Sequence, residues 1–275
     1  MLKQRTLTAL ILAPLAIALI LLAPTALFAL VMAAMSLQAL WEWSRLAGLA
    51  PPGARVALIG ANALLLALLW TQRNDIVDHW VIGAGLAWWV AAMFWLRHYT
   101  CAAAPTRANC ALKLLAGELA VLPAWLALMR LHEGADHGRW WALLAVVLVW
   151  AADTGAYFAG KRFGTTRLAP HISPNKTTAG AWGGLAVGAL VALAGGWLLG
   201  ERNGALVAVL VLAVLTVAAS ILGDLVESLL KRQANVKDSG AIFPGHGGLL
   251  DRLDSVFAAI PAFVAGKALL DLFAR

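Results

Sequence analysis

Charged residues are scarce in this chain: Asp, Glu, Lys and Arg together make up 13% of 275 residues, against 62% hydrophobic residues. That balance excludes an ordinary soluble domain. Cysteine is almost absent as well. The two present, Cys101 and Cys110, share one short polar connection, a spacing that supports neither a disulfide framework nor a zinc site. There is no internal repeat, no low-complexity linker and no soluble insertion, so residues 1–275 read as a single polytopic membrane domain. The net charge of +7 does not imply a nucleic-acid partner. Its basic residues fall mostly at helix ends, where they set topology and contact anionic lipid headgroups.

What the chain has in quantity is apolar runs of the roughly 18–20 residues that a spanning helix needs. Nine are recognisable, at about 6–24, 26–47, 55–71, 79–96, 111–131, 139–160, 179–200, 205–231 and 249–273. The expectation is an all-α integral membrane protein of about nine transmembrane helices. The first run follows Lys3 and Arg5 as a signal peptide would. It leads into another apolar run with no polar cleavage region, so it reads as a retained helix. With the N-terminus inside, 15 of the 21 Lys and Arg residues lie on the inner side. This positive-inside bias predicts a cytoplasmic N-terminus and cytoplasmic loops after spans six and eight.

Within this apolar background, residues 228–254 stand out, with cations, a Gly-His-Gly-Gly turn and aspartates between two apolar segments. Ionisable groups are costly near a bilayer and commonly mark a ligand site. On a helix, Asp224, Glu227, Ser228 and Lys231 share one face. Nineteen residues from Ala205 cover about 28 Å, which sets Asp224 near the membrane boundary. Span nine brings Asp251, Asp254 and Ser255 to the same depth. Carboxylates beside cations suit a phosphate compound with Mg²⁺, and Asp224 and Asp251 are the first choice as metal ligands. The same groups also read as helix caps, or as partners of Lys231 and Arg252.

The loop between these helix ends carries Lys237, Asp238, Gly240, Gly245, His246, Gly247 and Gly248. Its glycines let backbone N–H groups approach an anion, and His246 reads as a binding residue or as structural. A second cluster follows span six: Asp153, then Ser173, Lys176 and Thr177 at the start of a Gly-rich span. It reads as a phosphate site at a helix start or as a basic loop with a cap. Glu42, between Trp41 and Trp43, reads as functional or as an interfacial residue of an aromatic belt. Glu118 reads as a packing contact or a neighbour of lipid phosphate. The Gly-rich spans read as sites of close helix packing.

The run Ser228, Lys231-Arg232, Lys237-Asp238 and His246-Gly247-Gly248-x-x-Asp251-Arg252-x-Asp254 closely resembles the phosphatidate cytidylyltransferases, also called CDP-diacylglycerol synthases. Asp153-Thr-Gly-Ala-Tyr-Phe, Ser173-Pro-x-Lys176-Thr177 and Trp41-Glu42-Trp43 are similar to that family too. Asn175 and Ala179 stand where the family has Lys and Glu. The resemblance implies transfer of the cytidylyl group of CTP to phosphatidate, giving CDP-diacylglycerol and pyrophosphate. It further implies Mg²⁺ on Asp224 and Asp251, room for a second, monovalent cation, a homodimer, and residence in the cell inner membrane with the site facing the cytoplasm. The expected catalytic residues are Asp224, Lys231 and Asp251, and the catalytic region is mainly 150–255. Substrate contacts are expected from Asp153, Ser173, Lys176, Thr177, Ser228, Arg232, Lys237, Asp238, His246, Gly247, Gly248, Arg252 and Asp254. The alternatives are a CTP-dependent lipid kinase, which would release CDP, and a membrane transporter, which lacks support from any repeat.

Overall fold

A computed structural model describes residues 2–135, 137–242 and 247–273. The helices are α1 (Leu2–Leu22), α2 (Thr25–Leu46), α3 (Pro52–Thr71), α4 (Asp75–Arg97), α5 (Arg107–Glu133), α6 (Gly138–Phe163), α7 (Thr178–Leu198), α8 (Gly204–Gln233) and α9 (Leu250–Phe273). Each of the nine apolar runs is therefore a helix. Among the described residues, α2 to α8 are long and apolar enough to cross a membrane.

Several helices begin earlier than the apolar runs suggest, because polar caps and prolines extend them. Pro52 opens α3, the Asn74 side chain accepts from Ile76 N and Val77 N at the start of α4, and Thr106 caps α5 through Asn109 N. Each satisfies or removes an N–H that a helix start leaves unpaired.

One feature departs from the all-helical expectation. Between α6 and α7 the chain forms an antiparallel pair, β1 (Arg167–Ala169) and β2 (Ser173–Thr177), with Arg167 opposite Thr177 and Ala169 opposite Ser173. This hairpin carries Ser173, Lys176 and Thr177. The Arg232 Nε donates to Ile172 O at its turn over 3.3 Å, which ties it to α8.

Helix α5 is the centre of the bundle. Its C-terminal half, Trp125 to Leu131, packs with Phe28 of α2, Leu148 of α6, Leu212 of α8 and Phe263 of α9. Its N-terminal half, Ala116 to Ala124, joins a second cluster with Trp43, Trp89, Leu229, Leu250 and Phe257. That second cluster underlies the polar loops.

Helices α6 and α7 meet across small residues, as the glycine content predicts. Gly180, Gly184, Gly188, Ala192 and Gly196 form a buried stripe at four-residue spacing, which allows close backbone approach. A Cβ at Gly183 would collide with Ala159 and stand 2.9 Å from Gly155 O. Gly183→Leu is thus expected to cost about 1–3 kcal/mol by overpacking. A thermal melt in detergent checks this, and an unchanged midpoint would refute the tight contact.

Candidate active site

The charges of α8 and α9 meet because those helices pack along each other. Gly223 permits it: a Cβ there would strike the Asp254 carbonyl oxygen. Next to this contact, Asp224 pairs through Oδ2 with Lys176 of β2, and its Oδ1 accepts from Ser228 Oγ at 3.3 Å. The β-hairpin thus delivers a cation to α8. Asp224 is not sealed off, with its side chain 32% exposed. The charges of Asp153 on α6 and Asp254 on α9 also act on Asp224, with those of Lys176 and Arg252 in the same field.

Two turns further along α8, Lys231 pairs with Glu227 and lies 2.7 Å from Asp251 Oδ1. The other oxygen of Asp251 accepts from Ser239 N (2.9 Å), Ser239 Oγ (2.9 Å) and Gly248 N (2.7 Å). Gly247 sits at φ +83°, the left-handed region that glycine enters without penalty. A Cβ there would come within 2.5 Å of Asp251 Oδ2. The Gly-Gly pair therefore lets the backbone fold down onto the carboxylate.

Most residues read from the sequence converge on this end of the bundle. Asp224, Ser228, Lys231 and Asp251 interact as described, and Asp153, Lys176, Arg252 and Asp254 share their electrostatic field. Thr177 caps α7 by accepting from Gly180 N at 3.1 Å. Arg232 braces the hairpin turn. Ser173 is half-buried in β2, while Lys237 and Asp238 are exposed on the loop. His246 lies outside the described residues, as does Gly245.

Three further participants are set by the fold more than by the sequence pattern. Glu42, which reads from the sequence as functional or as a belt residue, is 1% exposed and joined to the loop through Ser239, Leu249 and Leu250. Ser239, buried between Glu42 and Asp251, belongs to no periodic pattern that would single it out. Glu227 shares the face of Asp224, which the i, i+3 spacing does show. Its place as the second carboxyl partner of Lys231 needs the fold.

The donor set suits a hard divalent cation. A carboxylate has about four lone-pair directions; among the described residues, Lys231 contacts Asp251 Oδ1, and Ser228 and Lys176 contact the two oxygens of Asp224. Oxygen donors with coordination capacity left match Mg²⁺, which accepts incomplete protein cages when phosphate completes them. Among the described residues, no group of three or more His, Cys, Asp or Glu side chains forms a closed cage. The arrangement can therefore bind phosphates between paired anions and cations, with substrate oxygens supplying what the protein does not.

Residues 3–269 match the model of the cytidylyltransferase family. The chain is 41% identical over 265 residues to the phosphatidate cytidylyltransferase of Pseudomonas aeruginosa, covering 96% of each protein. It is 36% identical over 282 residues to that of Haemophilus influenzae, covering 96% of this chain and 97% of the relative. The phosphatidate cytidylyltransferase of Staphylococcus epidermidis is 34% identical over 264 residues, across 94% of this chain.

Proposed function

The chain belongs to the cytidylyltransferase family, and from that premise we propose that it transfers the cytidylyl group of CTP to phosphatidate. The observation that carries this reading is the pair of carboxylate–ammonium contacts, Asp224 with Lys176 and Asp251 with Lys231, at neighbouring helix ends. A phosphate oxygen of phosphatidate attacks the α-phosphorus of CTP. The new P–O bond forms as the bond to the β-phosphate breaks, giving CDP-diacylglycerol and pyrophosphate.

Phosphatidate is already anionic, so no strong base is needed. The barrier is the repulsion between its phosphate and the triphosphate. Lys176 and Lys231 neutralise that charge, and their partners keep both ammonium groups at the place where the phosphates meet. Ser228 and Ser239 hold Asp224 and Asp251 in orientation. Mg²⁺ held by Asp224 and Asp251 would supply further charge neutralisation and stabilise the leaving group. The exposed Lys237, with Arg252, faces the approach of CTP as additional positive charge. The inner-side excess of Lys and Arg supports a site that opens to the cytoplasm of the cell inner membrane, with lipid arriving laterally.

Purified protein in mixed micelles with phosphatidate, CTP and Mg²⁺ tests the reading. Equal amounts of cytidylylated lipid and pyrophosphate are expected, both lost on chelation. Release of CDP without a cytidylylated lipid would instead identify a lipid kinase.

A further inference from the structure

Glu42 is far from the motif in sequence, yet its carboxylate closes the structure around it. It lies on α2 and reaches the start of α9, where Leu249 N, just before the helix, donates to Oε1 at 3.1 Å and Leu250 N donates to Oε2 at 2.8 Å. Gln38 Nε2 donates to Oε1 at 3.0 Å, and Ser239 Oγ lies 2.9 Å from Oε2. Three donors and the shared Ser239 hydroxyl thus converge on one buried carboxylate. The positive end of the α9 dipole adds to them. A helix start that would normally be capped by its own neighbouring residue is capped here by a side chain 207 residues away.

The local sequence is fitted to this carboxylate. A Cβ at Gly240 would stand 2.5 Å from Glu42 Oε1, and one at Gly248 would collide with Oε2 and with Ser239 Oγ. Two of the loop glycines are therefore spaces for Glu42 as well as flexible points. Burying a carboxylate is costly, and an apolar side chain of similar size is often at least as stabilising. Bulk packing alone does not account for an acid here.

Ser239 gives the acid something to act on. Its Oγ is 2.9 Å from both Glu42 Oε2 and Asp251 Oδ2, and a hydroxyl has one proton to donate. Glu42 therefore governs the two elements that aim Asp251: the first turn of α9, on which Asp251 sits, and the hydroxyl that contacts its Oδ2.

We propose that Glu42 is a positioning residue for the transfer reaction, acting through Ser239 and the first turn of α9 to hold Asp251 against Lys231. The inference rests on the functional reading above. It makes α2, in the N-terminal third of the chain, part of the catalytic apparatus without contact with substrate.

The test uses full-length protein purified in detergent, comparing wild type with Glu42→Gln, Glu42→Asp and Ser239→Ala. Glutamine keeps the shape but turns an amino group toward donors. Aspartate keeps both acceptor oxygens one methylene shorter. Glu42→Gln is expected to lower kcat by about 10–100-fold, the range typical of lost supporting contacts, with KM for CTP changed by no more than about 3-fold. Glu42→Asp recovers part of kcat, and Ser239→Ala lowers kcat in the same direction. Amide hydrogen exchange supplies a readout independent of turnover: Glu42→Gln speeds exchange over residues 247–255 and leaves α5 protected. Unchanged exchange at 247–255, an undiminished kcat, or faster exchange throughout with activity tracking the folded fraction would each overturn the proposal. Should wild type itself make no cytidylylated lipid, the functional reading fails, while the exchange pattern still decides whether Glu42 holds this turn.

Discussion

Asp224→Asn is expected to lower kcat by about 10²–10³-fold, the usual scale for removing one preorganised electrostatic group, while the protein stays folded. The two effects separate because their sizes differ. In the folded protein Asp224 contributes an ion pair to Lys176 and accepts from Ser228, with its side chain 32% exposed. An ion pair with that much access to solvent is worth about 1 kcal/mol or less. The loss in the barrier corresponds to about 3–4 kcal/mol. Asparagine retains the shape and one acceptor oxygen, so the charge alone is removed. Steady-state kinetics and a thermal melt on the same preparation check both halves. Full activity in Asp224→Asn would remove this residue from the catalytic centre and, with it, the assignment of Mg²⁺ to Asp224.

Lys231→Met is expected to fail in both respects, and a second substitution tells the causes apart. Lys231 stands between Glu227, whose side chain is 1% exposed, and Asp251. Without the ammonium, the buried Glu227 and Asp251 carboxyl groups lose the cation between them, and breaking a buried pair in this way costs about 3–5 kcal/mol. The single variant should therefore melt early as well as lose turnover. Adding Glu227→Gln removes one of the stranded carboxyl groups, so Lys231→Met/Glu227→Gln should regain much of the lost stability. Activity should stay low, because no cation remains beside Asp251 to neutralise phosphate. This is a double-mutant cycle in which stability couples the two sites and catalysis does not. Recovery of both together would mean that Lys231 serves only the fold.

The contrast between Glu227 and Glu42 marks how far the site was legible in the sequence. Helical spacing puts Asp224, Glu227, Ser228 and Lys231 on one face, and α8 carries them so. Contacts within that helix, or between it and the adjoining start of α9, follow from order along the chain. Lys176 on Asp224 and Glu42 on Leu249 and Leu250 join segments that only tertiary packing brings together. Glu42 also sits in Trp41-Glu42-Trp43, where an interfacial explanation was adequate. Ser239 belongs to no apolar period.

The fold divides in a similar way. Among the described residues each of the nine apolar runs forms a helix, and α2 to α8 are long and apolar enough to cross a membrane, because the run is itself the physical cause of insertion. Their starts were less legible, since Pro52, Asn74 and Thr106 extend helices beyond the apolar run. The β1–β2 hairpin was not legible. It is short and includes Pro174, a residue that demotes a strand reading, and its polar side chains show no alternation. Its consequence is functional, because it is the element that places Lys176.

The most direct test of the central claim follows the phosphorus of CTP into lipid. Purified protein is given phosphatidate and Mg²⁺ with CTP labelled at either the α- or the γ-phosphorus, and the lipid is extracted. Label from the α-position alone should enter the lipid, with the γ-label recovered in pyrophosphate, and Asp224→Asn should reduce the lipid label by at least about 10²-fold. Lipid labelled from the γ-position instead would contradict cytidylyl transfer and establish phosphoryl transfer.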